Sequence, residues 1–115
     1  MSIKIYHNPR CSKSRQTLQL LEGKGIQPDI IEYLKQPPSK AELESVLSLL
    51  DFGPRDLMRK GETIYKELNL KDDTLSDEQL LTTMLNNPIL IERPIVLANG
   101  KAAIGRPPES VLDIL

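Results

Sequence analysis

Apolar residues change their rhythm several times along the chain. In residues 2–6, SIKIY, Ile3 and Ile5 alternate with polar neighbours, the period of a short buried strand. The HNPRC stretch that follows is rich in loop formers. From Ser12 onward Leu18, Leu20 and Leu21 suit a helix ending near Gly23 or Gly25. Residues 27–34, QPDIIEYL, predict a second strand through Ile30, Ile31 and Tyr33. Ser39 then starts a helix: Glu42 completes a capping box, and Leu43, Val46, Leu47 and Leu50 form one face. Residues 53–70 predict two short helical pieces broken at Gly61. Ser76 caps a further helix, with Gln79 at the capping-box position and Pro88 beyond its end. Residues 95–98 and 102–104 flank Asn99-Gly100, a hairpin pattern. The prolines of PPESVLDIL open a last amphipathic helix that runs to Leu115.

The predicted order is β-α-β, several helices, then β-β-α. A helix between the first two strands fits a right-handed parallel crossover. The two-residue turn forces the last two strands to pair antiparallel. The expected fold is α/β, a four-stranded mixed sheet flanked by helices in the thioredoxin-like order. At 115 residues the chain is expected to form a single domain over 1–115.

Composition narrows the function more than the fold. With 15 basic and 16 acidic residues, nothing favours nucleic acid or an anionic membrane surface, so any anion site must be built from a few placed arginines. The absence of Trp removes the best stacking platform for bases. No apolar run approaches the ~20 residues of a membrane helix, and the start lacks a signal-peptide pattern. A lone cysteine cannot form an internal disulfide. The expected location is cytoplasmic, with neither nucleic acid nor membrane as partner.

The only cysteine and the only histidine lie four residues apart in YHNPRCSKSRQTL. In the predicted topology Cys11 stands at the start of the first helix. Unpaired N–H groups and the helix dipole favour negative charge there, so a thiol becomes a thiolate nucleophile more readily. Lys13 and Arg15 add positive charge, His7 adds more when protonated, and Ser14 is placed to donate a hydrogen bond to the sulfur. The same N–H groups can cradle an oxyanion. A free cysteine is often just a small buried hydrophobe, but Arg, Pro, Ser and Lys neighbours argue against an apolar niche. One histidine without companion ligands argues against a metal site.

Three arginines stand in distinctive settings: Arg59 in DLMRKGE, Arg93 in IERPIV and Arg106 in AIGRPPE. Arg93 and Arg106 each precede a proline, which stiffens the local chain and suits bidentate oxyanion binding. Arg55 reads as a solvated surface residue.

YHNPRCSKSRQTL, LMRK, PILIERPIV and GRPPESVLDIL, in this order and spacing, resemble the glutaredoxin-linked arsenate reductases, the ArsC family. The resemblance runs from residue 3 to residue 115. It implies that Cys11 is the catalytic nucleophile and that Arg59, Arg93 and Arg106 line an arsenate and arsenite pocket. By it His7 influences activity, Ser14 and Arg15 support the nucleophile, and Pro94 forms a cis peptide beside the cysteine. It also implies a thioredoxin-like fold with an inserted helical segment over about 39–87. Ser12 and Lys13 replace the Gly and Thr of well-known members, and longer members carry a C-terminal extension.

The implied reaction is arsenate to arsenite through a thiol-arsenate adduct. Glutathione serves as co-substrate and glutaredoxin resolves the mixed disulfide. With no resolving cysteine in the chain, the electrons are expected from an outside thiol. No bound cofactor is expected, since nucleotide-binding glycine motifs are missing. Two alternatives share this sequence pattern. One is a glutathione-dependent thiol oxidoreductase of another substrate. The other is an Spx-like regulator that binds RNA polymerase; such proteins commonly carry C-x-x-C, where this chain has Ser14.

Overall fold

The computed structural model describes residues 2–115. They divide into two compact units, residues 2–36 with Arg93–Leu115, and Pro37–Glu92. The insertion expected over about 39–87 falls inside the second.

The first unit is built on four strands: β1 (Lys4–Tyr6), β2 (Asp29–Ile31), β3 (Ile95–Ala98) and β4 (Lys101–Ile104), in the order β2-β1-β3-β4. β1 pairs parallel with β2, Ile5 opposite Ile30. β1 and β3 pair antiparallel with Ile5 opposite Val96, as do β3 and β4 with Val96 opposite Ala103. Helix α1 (Ser12–Gly23) makes the parallel crossover. Its Leu21 joins Ile5, Val96, Ala98, Val111 and Ile114 in one apolar cluster, with Leu18, Leu20, Ile26 and Ala103 packed against it. The hairpin turn uses Asn99 at φ 55° and Gly100 at φ 70°. Both positive values match the twist of the flanking strands. Asn99 Nδ2 also donates to the Ile114 carbonyl at 2.7 Å, tying the hairpin to the chain end.

Three elements differ from the sequence expectation. The last helix, Pro108–Ile114, is a 3₁₀ helix. Its buried residues are Pro108, Val111 and Ile114, spaced by three, and a three-residue turn stacks them in a single row. The second strand is three residues long, and Tyr33 lies beyond it, buried in the following turn. A short 3₁₀ turn at Pro88–Leu90 stands where the sequence predicts no element.

The second unit holds α2 (Lys40–Leu50), α3 (Pro54–Leu57), α4 (Thr63–Glu67) and α5 (Asp77–Asn86). Both expected capping boxes form, Ser39 with Glu42 and Ser76 with Gln79. Residues 57–59 run beside 90–92: Arg59 N–H donates to the Leu90 carbonyl at 2.7 Å, and Glu92 N–H to the Leu57 carbonyl at 2.9 Å. Arg55 is not a solvated surface residue. Its guanidinium donates to the Tyr65 hydroxyl at 3.3 Å, to the Leu70 carbonyl, and to the Asp72 carbonyl at 3.0 Å. The arginine thus serves as a tie for the chain after α4.

Gly105, immediately after β4, sits where no side chain fits. A Cβ there would lie 2.4 Å from Thr17 Oγ1 and 2.8 Å from Pro94 Cγ. Its N–H donates to the Pro94 carbonyl at 2.9 Å. Gly105→Ala should therefore destabilise the fold by about 1–3 kcal/mol through overpacking. Gly23→Ala provides the control, because a methyl group at position 23 would meet nothing within 4 Å. Urea unfolding of the two variants checks this: equal midpoints would show that the approach to Thr17 is not tight.

Candidate active site

The loop after β1 brings Cys11 to the N-cap of α1, with extended backbone at φ −93° and ψ 125°. Its N–H donates to the Asn8 carbonyl at 3.0 Å, and its carbonyl accepts from Arg15 N–H at 3.0 Å. No side chain caps the helix start, so the helix begins at Cys11 without a side-chain acceptor for its first N–H groups. Cys11 is largely buried, 9% exposed, and its sulfur accepts from Arg106 Nη2 at 3.4 Å.

Arg106 is itself fixed by its Nε, which donates to the Arg93 carbonyl at 2.8 Å. The Arg93–Pro94 and Arg106–Pro107 peptide bonds are both cis. Two Arg-Pro loops are thus laced together, by Arg106 Nε on the Arg93 carbonyl and Gly105 N–H on the Pro94 carbonyl. Nε and Nη1 of Arg93 are buried from solvent. Pro94 lies in the contact with Gly105 and is itself buried.

Ser14 faces away from the role expected of it. Its Oγ accepts from Asn8 N–H at 3.0 Å and lies 2.7 Å from His7 Nδ1. Its one proton is best donated to Nδ1 of a neutral imidazole carrying hydrogen on Nε2. Protonation of His7 reverses that bond, because Nδ1 then becomes a donor. Burial pushes the His7 pKa below its ordinary value of 6.5, opposed by the Glu32 carboxylate, with Arg15 lowering it further and Glu22 raising it. A buried neutral His7 packs beside the loop without adding charge to it. Arg15 braces the same loop from outside, donating from Nη1 to the Pro9 carbonyl at 2.9 Å.

Arg59 belongs to the second unit. There its backbone is held by the pairing with Leu90, and its Nη1 lies 3.9 Å from Glu92 Oε1. That nitrogen is buried and has no hydrogen-bond acceptor among the described residues.

Three contributors escape the sequence reading. Asn8 positions Cys11, Ser14 and, through Oδ1, the Arg10 N–H at 3.0 Å. The Asn-Pro dipeptide at 8–9 is a turn signal that could have marked it. Thr17 and Gly105 are the others. Thr17 is fully buried, bonds the Lys13 carbonyl at 2.8 Å and fits against Gly105. A glycine directly before an Arg-Pro pair hints at close approach. Among the described residues no three His, Cys, Asp or Glu side chains gather as metal ligands, and no helix is long and apolar enough to cross a membrane.

A thiol at the N-cap of the helix that follows the first strand, on a four-stranded mixed sheet of order β2-β1-β3-β4, defines a thioredoxin-like fold with a thiol site. Within that class residues 6–114 match the ArsC family, and the chain belongs to it. The chain is 56% identical to the uncharacterized protein YfgD of Escherichia coli K12, over 98% of this chain and 96% of that one. It is 52% identical to an arsenate reductase of Haemophilus influenzae, over the full length of both. The solved structure of an arsenate reductase from Vibrio cholerae superimposes with a TM-score of 0.97 at 55% identity, covering 100% of this chain and 98% of that one.

The burial of His7 gives a direct prediction. As the only histidine, it has a single imidazole C2–H resonance, and its NMR titration midpoint should lie below 6.5. Because the folded value is depressed, the unfolded chain binds the proton more readily. The contribution to stability is therefore complete above about pH 6.5 and lost as pH falls toward the lower folded value. A midpoint at or above 6.5 contradicts a neutral, buried His7. Ser14→Ala should cost about 1–3 kcal/mol in denaturant unfolding, since Asn8 N–H loses its buried acceptor.

Proposed function

We propose that this chain is an arsenate reductase, with Cys11 as nucleophile and glutathione and glutaredoxin as the source of electrons. The observation that carries the reading is the 3.4 Å approach of Arg106 Nη2 to Cys11 Sγ. It puts a fixed guanidinium, able to grip a tetrahedral oxyanion, beside a thiol at a helix N-terminus. Arsenate reductases about half identical over the full chain support the substrate.

In this mechanism arsenate oxygens bond to Arg93, Arg106 and the first-turn N–H groups of α1, which hold arsenic in line with the sulfur. Arg59 is assigned as the third arginine from its LMRK motif and the buried Nη1 that lacks an acceptor among the described residues. Cys11 attacks arsenic, an S–As bond forms, and one oxygen leaves as water. Glutathione sulfur then attacks Cys11 sulfur. The S–As electron pair stays on arsenic, which departs as arsenite, and a Cys11–glutathione disulfide remains. Exchange with a glutaredoxin thiol restores Cys11. Each turnover thus oxidises two outside thiols to one disulfide and reduces As(V) to As(III), with one water released. The lone cysteine supports this order, because the chain holds no second thiol to close an internal disulfide.

Cys11→Ser should abolish arsenate-dependent NADPH oxidation in an assay coupled through glutathione, glutaredoxin and glutathione reductase. Arg59→Ala, Arg93→Ala and Arg106→Ala should each lower kcat/KM by about 10²–10³, the usual loss of one donor to developing charge. Lysine at these positions should restore little, lacking the planar fork. Exposed Lys101→Ala should match the parent. Arginine variants as active as Lys101→Ala would overturn the oxyanion assignment.

A further inference from the structure

A cavity of about 290 Å³ opens beside the nucleophile loop, lined by residues 7–10 and by Glu32, Leu34 and Lys35. It is near the lower end of the ~300–1,000 Å³ typical of small-molecule sites. The loop forming one wall continues directly into Cys11. Its lining carries charges of both signs: Arg10 and Lys35 are cationic, Glu32 is anionic, and Leu34 offers an exposed apolar side chain. A purely anionic ligand such as arsenate matches this poorly, because Glu32 repels it. A zwitterion with two carboxylates and one ammonium matches it group for group.

We infer that this cavity binds the zwitterionic γ-glutamyl tripeptide thiol, with Arg10 and Lys35 taking its two carboxylates and Glu32 its ammonium. The inference rests on the reading above that an outside thiol reduces the Cys11 adduct. Two features prepare the site. The Glu32–Lys35 pair is loose, 3.6 Å apart with Lys35 80% exposed, so both groups can turn to a ligand at small cost. The loop in the lining is stiff: Asn8 Oδ1 accepts from Arg10 N–H at 3.0 Å, and Arg15 holds the Pro9 carbonyl at 2.9 Å. A rigid wall lowers the ordering cost of binding. Bound here, the tripeptide lies against the loop whose next residue is the nucleophile, and only its cysteine arm need extend toward the sulfur.

The test uses S-methylglutathione, which binds but cannot react, titrated into the full-length protein by ¹⁵N–¹H NMR. Amide shifts should centre on residues 7–11 and 32–35. Arg10→Ala, Lys35→Ala and Glu32→Gln should each weaken binding about fivefold or more, as charge-assisted contacts do. N-acetyl-S-methylglutathione, which lacks the ammonium, should bind the parent weakly and gain no further loss from Glu32→Gln. In turnover, the same variants should raise KM for glutathione and leave KM for arsenate unchanged. Shifts elsewhere, or unaltered affinity in all three variants, would overturn the site. Failure of the parent to reduce arsenate with glutathione would instead sink the functional reading, and the NMR titration would still decide the cavity.

Discussion

The close approach of Gly105 to Thr17 and Pro94 is the constraint on which the first unit's chemistry depends. It draws the end of β4 against α1 at one point and against the start of β3 at another. Once those three segments meet, Gly105 N–H reaches the Pro94 carbonyl and Arg106 Nε reaches the Arg93 carbonyl. Arg106 then has little freedom left in its direction, and its Nη2 arrives at the sulfur of Cys11. A methyl group at position 105 would push against both neighbours at once, so packing and the thiol–arginine geometry cannot be adjusted separately. The thiol–arginine contact is set by backbone lacing rather than by a flexible side chain finding its own place, which is what preorganised anion binding needs.

Electrostatics in the loop divides the labour between two sides of Cys11. Toward the interior, His7 and Ser14 form a buried, hydrogen-bonded pair kept neutral by burial. A neutral pair stiffens the loop and leaves the positive charge to the other side, where Arg106 and the open helix end stand. Were His7 charged at neutral pH, its Nδ1 would donate to Ser14 and its charge would lie within the low-dielectric interior at considerable cost. The sequence suggests charge at this histidine; burial in the structure opposes it.

The elements are legible in the sequence wherever a local rule acts alone. Both capping boxes, the Asn-Gly hairpin and the break at Gly61 follow from residues within four positions of one another. The 3₁₀ form of the last helix is not legible, since PPESVLDIL satisfies an amphipathic α pattern equally well. Only packing against the sheet and α1 selects the three-residue spacing of Pro108, Val111 and Ile114. Arg55 misleads for a similar reason. Its three carbonyl and hydroxyl partners lie 10 to 17 residues away, beyond any local pattern. Cys11, Arg93 and Arg106 are marked by type and motif, and their meeting depends on tertiary contacts such as Gly105 against Thr17. Helix spacing allows Ser14 to reach the sulfur, yet a buried histidine and an unpaired N–H nearby make the stronger claim on its oxygen.

One cysteine in a thioredoxin-like fold changes what the loop must do. A site with two cysteines can discharge its adduct by closing an internal disulfide, and its loop need only bring those sulfurs together. In the proposed reaction the second sulfur comes from outside, so the loop would serve two faces: one for the oxyanion and one for the incoming thiol. The arrangement around residues 7–11 meets that requirement. The oxyanion face carries Arg106 and the helix N–H groups. The other is bordered by Arg10, Glu32 and Lys35, whose mixed charge suits a zwitterion and disfavours the oxyanion. On that proposal, a lining of mixed charge disfavours arsenate at the place the thiol would take.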